Sequence, residues 1–394
     1  MSTTNQQLRP LILDFGSNTF RMGWAMDDSP VIIAPAVYAD IKDYLFESDV
    51  IDGLEDLFIE DESEEYLFGY EALKYQNILK IHEFKKENNY SVLLKYFHYY
   101  YQQLKIEPEF QYKQPLILLA PFFSSELEKN KLRQIFFGTF NFPAILFLPE
   151  SQAILSTLQK TSGVIVNLGE SHTYISSVFR GFTNIMARDS FPVAGNELTN
   201  YFLTLIMTKK GTGKKVFLEK WLAKEIKEKS SLCVLNPKEE IAQIRKGFTN
   251  YDQVINFPDG ASIEINYERF MLSEPIFDPR IIHIDYIGLA EAIVNVIKSW
   301  DRENWEDLVQ TIVLSGGGSL IPGLKERLSI ELIKYFSDKI KPKINVIAVT
   351  GRDNMAWLGG SVLFSKDQLK GWIQNPIWVE QSTQNEEINP EENN

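Results

Sequence analysis

The sequence has little cysteine and no long apolar run. Its single cysteine, Cys233, has no second cysteine with which to form an internal disulfide. A lone thiol among apolar neighbours is typical of a core position rather than of a nucleophile. There is no stretch of about 18 apolar residues that would span a membrane, and residues 1–9 are polar, without the apolar stretch of a signal peptide. We therefore expect a soluble protein of a reducing compartment, the cytoplasm.

Positive charge is also scarce. The chain carries 40 lysine and arginine residues against 53 aspartate and glutamate residues, a formal net charge of −13. A field of this sign repels phosphates, which argues against broad electrostatic binding to nucleic acid or to an anionic membrane. No cluster of cysteine or histidine has the spacing of a zinc site. The expected partners are other proteins and one small anion in complex with a metal ion.

The sequence does contain enough apolar material for more than one folded unit, since 44% of its 394 residues are hydrophobic. Two segments share one pattern: an apolar strand, a short polar turn and a second strand. Leu11 to Asp14 leads into Gly16-Ser17-Asn18, and Val164 to Asn167 leads into Gly169-Glu170-Ser171. Each copy continues into alternating strands and helices, which predicts an α/β fold with two similar lobes.

Helix boundaries are marked in both halves. Ser125 and Glu128 form a capping-box pattern that predicts a helix to about Phe137, and another helix is expected to open near Glu150. In the second half, the strand before Gly316 is followed by a helix that we expect to begin near Pro322, because proline is tolerated in a first helical turn.

Two segments break this alternation. Glu47 to Glu65 is dense in acids and has no basic residue, yet it also carries an apolar set, so it is amphipathic rather than simply disordered. The tail from Gln381 to Asn394 is rich in asparagine and glutamate, and we expect it to be disordered.

The two polar turns are candidate phosphate sites. A glycine-containing turn between strands presents successive backbone N–H groups that can bind phosphate oxygens. A single turn of this kind is a common hairpin and a weak signal, whereas two turns in a duplicated framework can hold a polyphosphate. Asp14 directly precedes the first turn, where a carboxylate can hold the water shell of a phosphate-bound Mg²⁺. Its ordinary role would be to accept hydrogen bonds from its own turn.

At this point the motifs become specific. Asp14-Phe15-Gly16-Ser17-Asn18, with Arg21 and Gly23, resembles the first phosphate-binding hairpin of actins and actin-related proteins. Residues 135–144 and Glu150-Ser151-Gln152-Ala153 resemble the central segment of actin, and further matches follow in order as far as Trp357-Leu358-Gly359-Gly360-Ser361. The first motif also resembles exopolyphosphatases, but the later matches favour actin. The sequence is identified as a divergent member of the actin superfamily.

The resemblance implies the actin fold, with two lobes, a ribonuclease-H-like core in each lobe, and ATP with a divalent cation between them. It also implies four subdomains. Subdomain 1 comprises residues 1–36, 84–158 and 355–380, and subdomain 2 comprises residues 37–83. Subdomain 3 comprises residues 159–194 and 284–354, and subdomain 4 comprises residues 195–283.

Residue roles carry over by position. The implied phosphate-binding residues are Gly16, Ser17, Asn18, Arg21, Gly169, Glu170 and Ser171. The implied adenosine-binding residues are Gly195, Lys227, Glu228, Gly316, Gly317, Gly318 and Leu320. Magnesium would be held by Asp14 through water. Without the resemblance, we would interpret the Lys227-Glu228 pair as part of a solvated helical face. We would interpret the glycine run, Gly316-Gly317-Gly318, as a strand-to-helix turn.

The catalytic positions depart from the family pattern. Gln152, which in actins orients the attacking water, is retained. Asn167 stands where the family has a second metal-oriented carboxylate, and Tyr174 stands where it has a water-positioning histidine. Losing a carboxylate and an imidazole together predicts slow hydrolysis of ATP. Asp353 stands near a position that is usually basic and close to adenine, which affects the expected affinity for the base.

Three functions remain in competition. The first is an actin-like nucleotide-binding cytoskeletal or assembly protein, at most a slow ATPase, whose partners are itself or other actin-like subunits. The second is a non-polymerising pseudo-ATPase scaffold subunit of a multiprotein complex. The third, a phosphotransferase or phosphohydrolase of the wider superfamily, would need a dedicated acceptor-activating aspartate and a substrate loop, and we find neither. The acidic segment Glu47 to Glu65 discriminates between the first two, because the corresponding loop of actins contacts the next subunit of the filament.

Overall fold

The computed structural model describes residues 9–45, 65–87, 89–120, 125–208, 219–256 and 262–378. The acidic segment before Glu65 and the tail from Gln381 lie outside the described residues. The chain divides into two compact units. Unit 1 comprises Met1–Thr157 and Ala356–Asn394, and unit 2 comprises Leu158–Met355. Within the described ranges, no helix is both long and apolar enough to cross a membrane.

Strands and helices alternate along the described ranges, as an α/β fold requires. The strands are β1 (Leu11–Phe15), β2 (Thr19–Trp24), β3 (Ile32–Pro35), β4 (Val37–Asp40), β5 (Tyr66–Phe68), β6 (His82–Glu83), β7 (Leu116–Ala120), β8 (Ala144–Pro149), β9 (Gly163–Leu168), β10 (Thr173–Phe179), β11 (Phe182–Phe191), β12 (Gln253–Asn256), β13 (Ser262–Ile265), β14 (Ile312–Ser315), β15 (Val346–Ile347) and β16 (Ile373–Gln374). The helices are α1 (Tyr70–Lys74), α2 (Phe84–Glu87), α3 (Tyr90–Gln103), α4 (Glu126–Arg133), α5 (Glu150–Thr157), α6 (Gly195–Thr208), α7 (Lys220–Ser230), α8 (Pro237–Arg245), α9 (Glu268–Met271), α10 (Leu289–Lys298), α11 (Trp305–Val309), α12 (Leu324–Ile333) and α13 (Met355–Ser365).

The main sheet of unit 1 has the strand order β16-β8-β7-β1-β2-β3. The strands β1, β2 and β3 form an antiparallel meander, whereas β7 runs parallel to β1 and β8 runs parallel to β7. A smaller sheet, β5-β4-β6, also belongs to this unit.

The main sheet of unit 2 repeats this topology. Its order is β11-β10-β9-β14-β15, with an antiparallel meander of β9, β10 and β11, followed by β14 parallel to β9 and β15 parallel to β14. In the main sheet of each unit, the first three strands form the meander. The next two strands of that sheet lie on the other side of the first strand and run parallel to it. The predicted α/β fold with two similar lobes is therefore confirmed.

The two cores differ in composition. The core of unit 1 is rich in aromatic rings, and Phe97, Phe136 and Phe142 pack edge-to-face within it. The core of unit 2 is mainly aliphatic, and seven of the ten residues of α10 are buried in it. Cys233 belongs to this second core, and burial raises the pKa of its thiol to about 12. This agrees with the expectation of a core thiol.

The helix predictions hold with two shifts in boundary. The Ser125 hydroxyl accepts a hydrogen bond from the Glu128 N–H and caps α4, as predicted. A π-helical segment, Gln134–Thr139, extends the helical path two residues beyond Phe137. Helix α12 begins at Leu324 rather than near Pro322, because Gly323 adopts a left-handed conformation (φ +84°) as its N-cap.

Two helices of unit 1 come into close backbone contact. A Cβ atom on Gly359 of α13 would lie 1.8 Å from the Ala153 carbonyl oxygen of α5. The Ser156 hydroxyl of α5 donates a hydrogen bond to the Gly359 carbonyl at 3.2 Å. Trp357 of α13 is fully buried and donates from its indole nitrogen to the Ile12 carbonyl of β1. These contacts fix α5, which carries Gln152, against the sheet.

Candidate functional site

The first candidate site is the turn between β1 and β2. The Gly16 N–H donates a hydrogen bond to the Thr19 carbonyl at 3.0 Å. A Cβ atom on Gly16 would lie 2.8 Å from that carbonyl oxygen, so the tight turn requires glycine. Ser17 and Asn18 form its tip and are partly exposed to solvent.

The turn between β9 and β10 has the same construction. The Gly169 N–H donates to the His172 carbonyl at 3.0 Å, and a Cβ atom on Gly169 would lie 2.7 Å from that oxygen. The Ser171 hydroxyl oxygen is buried and has no hydrogen-bond partner among the described residues. An unsatisfied buried hydroxyl is costly, and an oxygen-rich ligand at this turn would supply its partner.

The two hairpins also share their register. Asp14 lies opposite Arg21 across β1 and β2, and Asn167 lies opposite Tyr174 across β9 and β10. The first pair is an ion pair with Asp14 Oδ2 3.1 Å from Arg21 Nη1, and both side chains are largely buried. The second pair is uncharged. The sequence placed all four residues correctly on strands beside turns, but only the register shows that they form two equivalent pairs.

A buried ionic cluster adjoins the second turn. Glu170 Oε1 lies 3.3 Å from Lys224 Nζ, and its Oε2 lies 3.9 Å from Lys227 Nζ. Burial acts against the Glu170 carboxylate, but the two lysines outweigh it and lower its pKa. Burial also lowers the pKa of Lys227, although Glu170 counteracts it. Lys224 and Lys227 thus bring two cationic side chains close to this turn, and cationic side chains attract an anionic ligand.

Gly195 joins this cluster to the second turn. Its N–H donates to the Gly169 carbonyl at 3.0 Å, and its carbonyl accepts from Lys227 Nζ at 2.8 Å. A Cβ atom on Gly195 would lie 2.2 Å from Glu170 Oε2, so the carboxylate occupies the space that a side chain would need. Glu228, the next residue of α7, is exposed. The expected adenosine contacts of Gly195, Lys227 and Glu228 stay predictions.

The glycine run begins with Gly316, which has a positive backbone φ (+81°), immediately after β14. A Cβ atom there would lie 2.4 Å from Asn167 Oδ1, so Gly316 packs directly on Asn167. Arg352 secures the run because its Nη2 donates to the Ser319 carbonyl at 2.7 Å. Gly317 faces open space, and Leu320 is exposed. The glycine run is therefore held in place by Arg352, leaves open space at Gly317, and lies beside the uncharged pair of Asn167 and Tyr174.

The remaining predicted residue, Gln152, lies on α5 in unit 1 and is partly exposed. Two positioning residues were not anticipated from sequence. Lys224 precedes Lys227 by three residues on one helix, a spacing that places both on one face, but the sequence does not show that this face is buried. Arg352 gave no signal, because its partner Ser319 is 33 residues away in the sequence.

The residues present fit a magnesium ion that is bound mainly through phosphate and water. Among the described residues, no group of three or more His, Cys, Asp or Glu side chains could hold a metal ion directly. Asp14 supplies one carboxylate beside the first turn. One carboxylate with phosphate and water ligands is the usual environment of Mg²⁺ in phosphate-binding proteins.

Comparison with known proteins gives consistent matches over most of the chain. The family model described as Actin matches residues 5–384. An "Actin-like protein" of Neurospora crassa is 28% identical over 375 residues, which cover 94% of this chain and 95% of that protein. "Putative actin-29" of Dictyostelium discoideum is 27% identical over 303 residues, which cover 75% of this chain and 77% of that protein.

Proposed function

Since the chain belongs to the actin family, we propose that it is an actin-like protein that binds Mg-ATP and hydrolyses it slowly. The observation that carries this proposal is the pair of glycine turns, one in each unit. Each turn is closed by the same backbone hydrogen bond, from Gly16 to Thr19 and from Gly169 to His172. Such turns bind phosphate oxygens through backbone N–H groups.

The charges beside the two turns support a polyphosphate ligand. Arg21, paired with Asp14, lies next to the first turn, and Lys224 and Lys227 lie against Glu170 at the second. Because the Glu170 side chain contacts these lysines, we propose that the backbone of Glu170, rather than its carboxylate, contacts phosphate. The Ser171 hydroxyl would donate to a phosphate oxygen and lose its unsatisfied state.

The division of roles in hydrolysis follows from the residue types. Bound magnesium would neutralise charge on the phosphates, and Asp14 is the residue that would hold it through water. Gln152 would orient the attacking water through its amide. Neither Asn167 nor Tyr174 can accept a proton as a carboxylate or imidazole does at neutral pH. The proposed activity is therefore slow.

The uncharged pair of Asn167 and Tyr174 also favours a second candidate function. This is a pseudo-ATPase scaffold subunit that keeps bound ATP for stability and does not polymerise. In both candidates the partners are proteins, either copies of this chain, other actin-like subunits or a more basic protein. We propose that self-assembly is weak or salt-dependent, because like charges on the acidic segment Glu47 to Glu65 oppose it. Pelleting across salt concentrations, with and without that segment, separates the candidates. Robust filaments at low salt that persist after the deletion would contradict the role given to the segment.

The experiment that tests nucleotide binding starts from protein shown to be empty by chromatography of the denatured sample. Mg-ATP at about 100 times its dissociation constant should stabilise the fold by about 2.7 kcal/mol, seen as a higher melting temperature. No shift at millimolar nucleotide would contradict the proposal.

A serine pair sharpens the test. In Ser171→Ala the unsatisfied hydroxyl is removed, so the empty protein should keep its stability while the Mg-ATP shift decreases. Ser151→Ala is the matched control, because its hydroxyl is also buried and without a partner among the described residues, but lies in α5. A full shift in Ser171→Ala would remove Ser171 from the site.

A further inference from the structure

Unit 2 contains a cavity of about 550 Å³ that plays no part in the proposed nucleotide site. Three elements enclose it: the segment after Phe277, the first turn of α10, and the end of α12 with Tyr335. Its volume falls in the range of about 300–1,000 Å³ that is usual for ligand sites.

The lining of the cavity combines acids with aromatic rings. Four carboxylates face one guanidinium, that of Arg280. Asp278 is paired with Arg280 at 2.7 Å, and Glu331 is paired with Arg327 at 2.9 Å. The other two carboxylates belong to Asp285 and Glu291, and neither makes an ion pair within the described ranges. The cavity therefore has two carboxylates without an ion pair among the described residues, and Arg280, which is paired with Asp278, also attracts Asp285.

The two tyrosines of the cavity each place their hydroxyl on a carboxylate. The Tyr286 hydroxyl donates to both oxygens of Asp189, at 2.7 and 2.9 Å, so its phenol is held against β11. The Tyr335 hydroxyl lies 3.5 Å from Glu291 Oε2, and the Tyr335 ring is 40% exposed. Aromatic faces next to carboxylates attract an organic cation through cation–π and charge-assisted hydrogen bonds.

Two exposed apolar side chains adjoin residues of the lining. Ile281, next to Arg280 in the chain, and Ile330, next to Glu331, are large apolar side chains that stay exposed. A free small cation would leave them in water, whereas a peptide with an apolar residue beside its cationic one would cover them.

We propose that this cavity binds an arginine side chain presented by a basic segment of a partner protein, with Asp285 and Glu291 as its anionic partners. The arginine enters between Tyr286 and Tyr335, and apolar neighbours of that arginine cover Ile281 and Ile330. Arginine fits better than lysine because its planar guanidinium both stacks on rings and bonds two carboxylates. The proposal is independent of nucleotide binding.

The test uses the full chain and a fluorescent five-residue peptide in which arginine is flanked by leucines, titrated to millimolar concentration. The same peptide with citrulline, the uncharged isostere of arginine, should bind at least about tenfold more weakly, since bonds to charged groups are roughly twice as strong as neutral ones. The double variant Asp285→Asn with Glu291→Gln should show a loss of the same size. Replacement of arginine by lysine should give a smaller loss.

The matched control is Glu303→Gln with Asp307→Asn, which removes two exposed acids of the same unit, one of them also in the first turn of a helix. This variant should bind the arginine peptide like the unchanged protein. Three results overturn the proposal: no binding of the arginine peptide, equal losses in both double variants, or equal binding of free arginine amide and peptide. The last result would make the cavity a small-molecule site.

A second readout protects the test against a variant that misfolds. Carbodiimide labelling of the unchanged protein modifies accessible carboxylates, and the arginine peptide should protect Glu291 and Asp285 but leave Glu303 labelled. Labelling of Glu291 and Asp285 that the peptide does not reduce contradicts the proposal.

Discussion

Asn167 and Tyr174 lie directly opposite each other in the antiparallel pair of β9 and β10. Their side chains are therefore about 5 Å apart at Cβ, at the place that the ion pair of Asp14 and Arg21 occupies in the other unit. Gly316 packs on the Asn167 side chain, and the Tyr174 ring stacks on His172. The two departures from the family pattern are thus one local change, made at a single pair of neighbours.

This relationship predicts the outcome of a double-mutant cycle on ATP hydrolysis. Asn167→Asp with Tyr174→His should raise the single-turnover rate by about 100-fold, the size of one restored catalytic group. Because the residues are cross-strand neighbours, the two single changes should not add up to the double. Tyr174→His keeps a ring against His172, so the fold should be unaffected.

The control for this cycle is the affinity for Mg-ATP, which should change little because the phosphate turns are untouched. Quench-flow measurement under single-turnover conditions gives the rate for all four proteins. If the unmodified chain already hydrolyses ATP as fast as the double variant, the role given to these two positions is wrong.

The turns themselves were accessible from the sequence because their construction is local. Gly16 and Gly169 are each held by a hydrogen bond to a residue three positions away, so a short motif contains the whole geometry. The strand and helix alternation likewise predicted the α/β fold of two similar units. The family was identified from motifs in order along the chain.

The ionic cluster was not accessible in the same way. Lys224 and Lys227 share a helix with Lys220 and Lys229, and the sequence does not show which of these lysines face inwards. That choice depends on how α7 packs against the second turn. The fold therefore buries Lys224 and Lys227 against Glu170 and leaves Lys229 exposed beside Glu225.

The second prediction concerns this cluster. Glu170→Gln should lower the free energy of unfolding by about 3–5 kcal/mol, because it leaves two buried lysines without their carboxylate. Glu225→Gln is the matched control, since its partner Lys229 is exposed on the same helix and such surface pairs contribute about 0–1 kcal/mol. Urea unfolding of the unchanged protein, Glu170→Gln and Glu225→Gln measures the loss of stability in each variant. Equal losses in the two variants would show that burial gives Glu170 no special role.

The third prediction concerns how the difference in stability between the unchanged protein and Glu170→Gln depends on pH. Lys227 and Lys224 lower the pKa of Glu170 against its burial, so its stabilisation is complete above the ordinary glutamate range, near pH 4.3, and is lost as the pH falls below it. Burial lowers the pKa of Lys227, so the native state holds fewer protons than the unfolded state at alkaline pH, and stability rises there.

The stability gap between the unchanged protein and Glu170→Gln should therefore be widest near neutral pH. It should narrow on the acid side, where a protonated Glu170 resembles glutamine, and on the alkaline side, where Lys227 loses its charge. Urea midpoints from pH 3 to pH 10 follow the gap. A gap that stays constant across this range would contradict a charge-based origin.

The last prediction uses two adjacent glycines of α13 that differ only in what surrounds them. A Cβ atom on Gly359 would lie 1.8 Å from the backbone oxygen of Ala153, whereas one on Gly360 would lie 3.5 Å from the nearest atoms, the ends of flexible apolar side chains. Alanine is a better helix former than glycine by about 1 kcal/mol at either position. Gly360→Ala should therefore keep or slightly raise stability. Gly359→Ala should lower the free energy of unfolding by at least about 1–3 kcal/mol, as overpacking does, because neither helix backbone can yield.

Since α5 carries Gln152, the displacement of α5 should also slow ATP hydrolysis in Gly359→Ala alone. Thermal unfolding and hydrolysis rates that are the same in both variants would show that α5 and α13 do not depend on this contact.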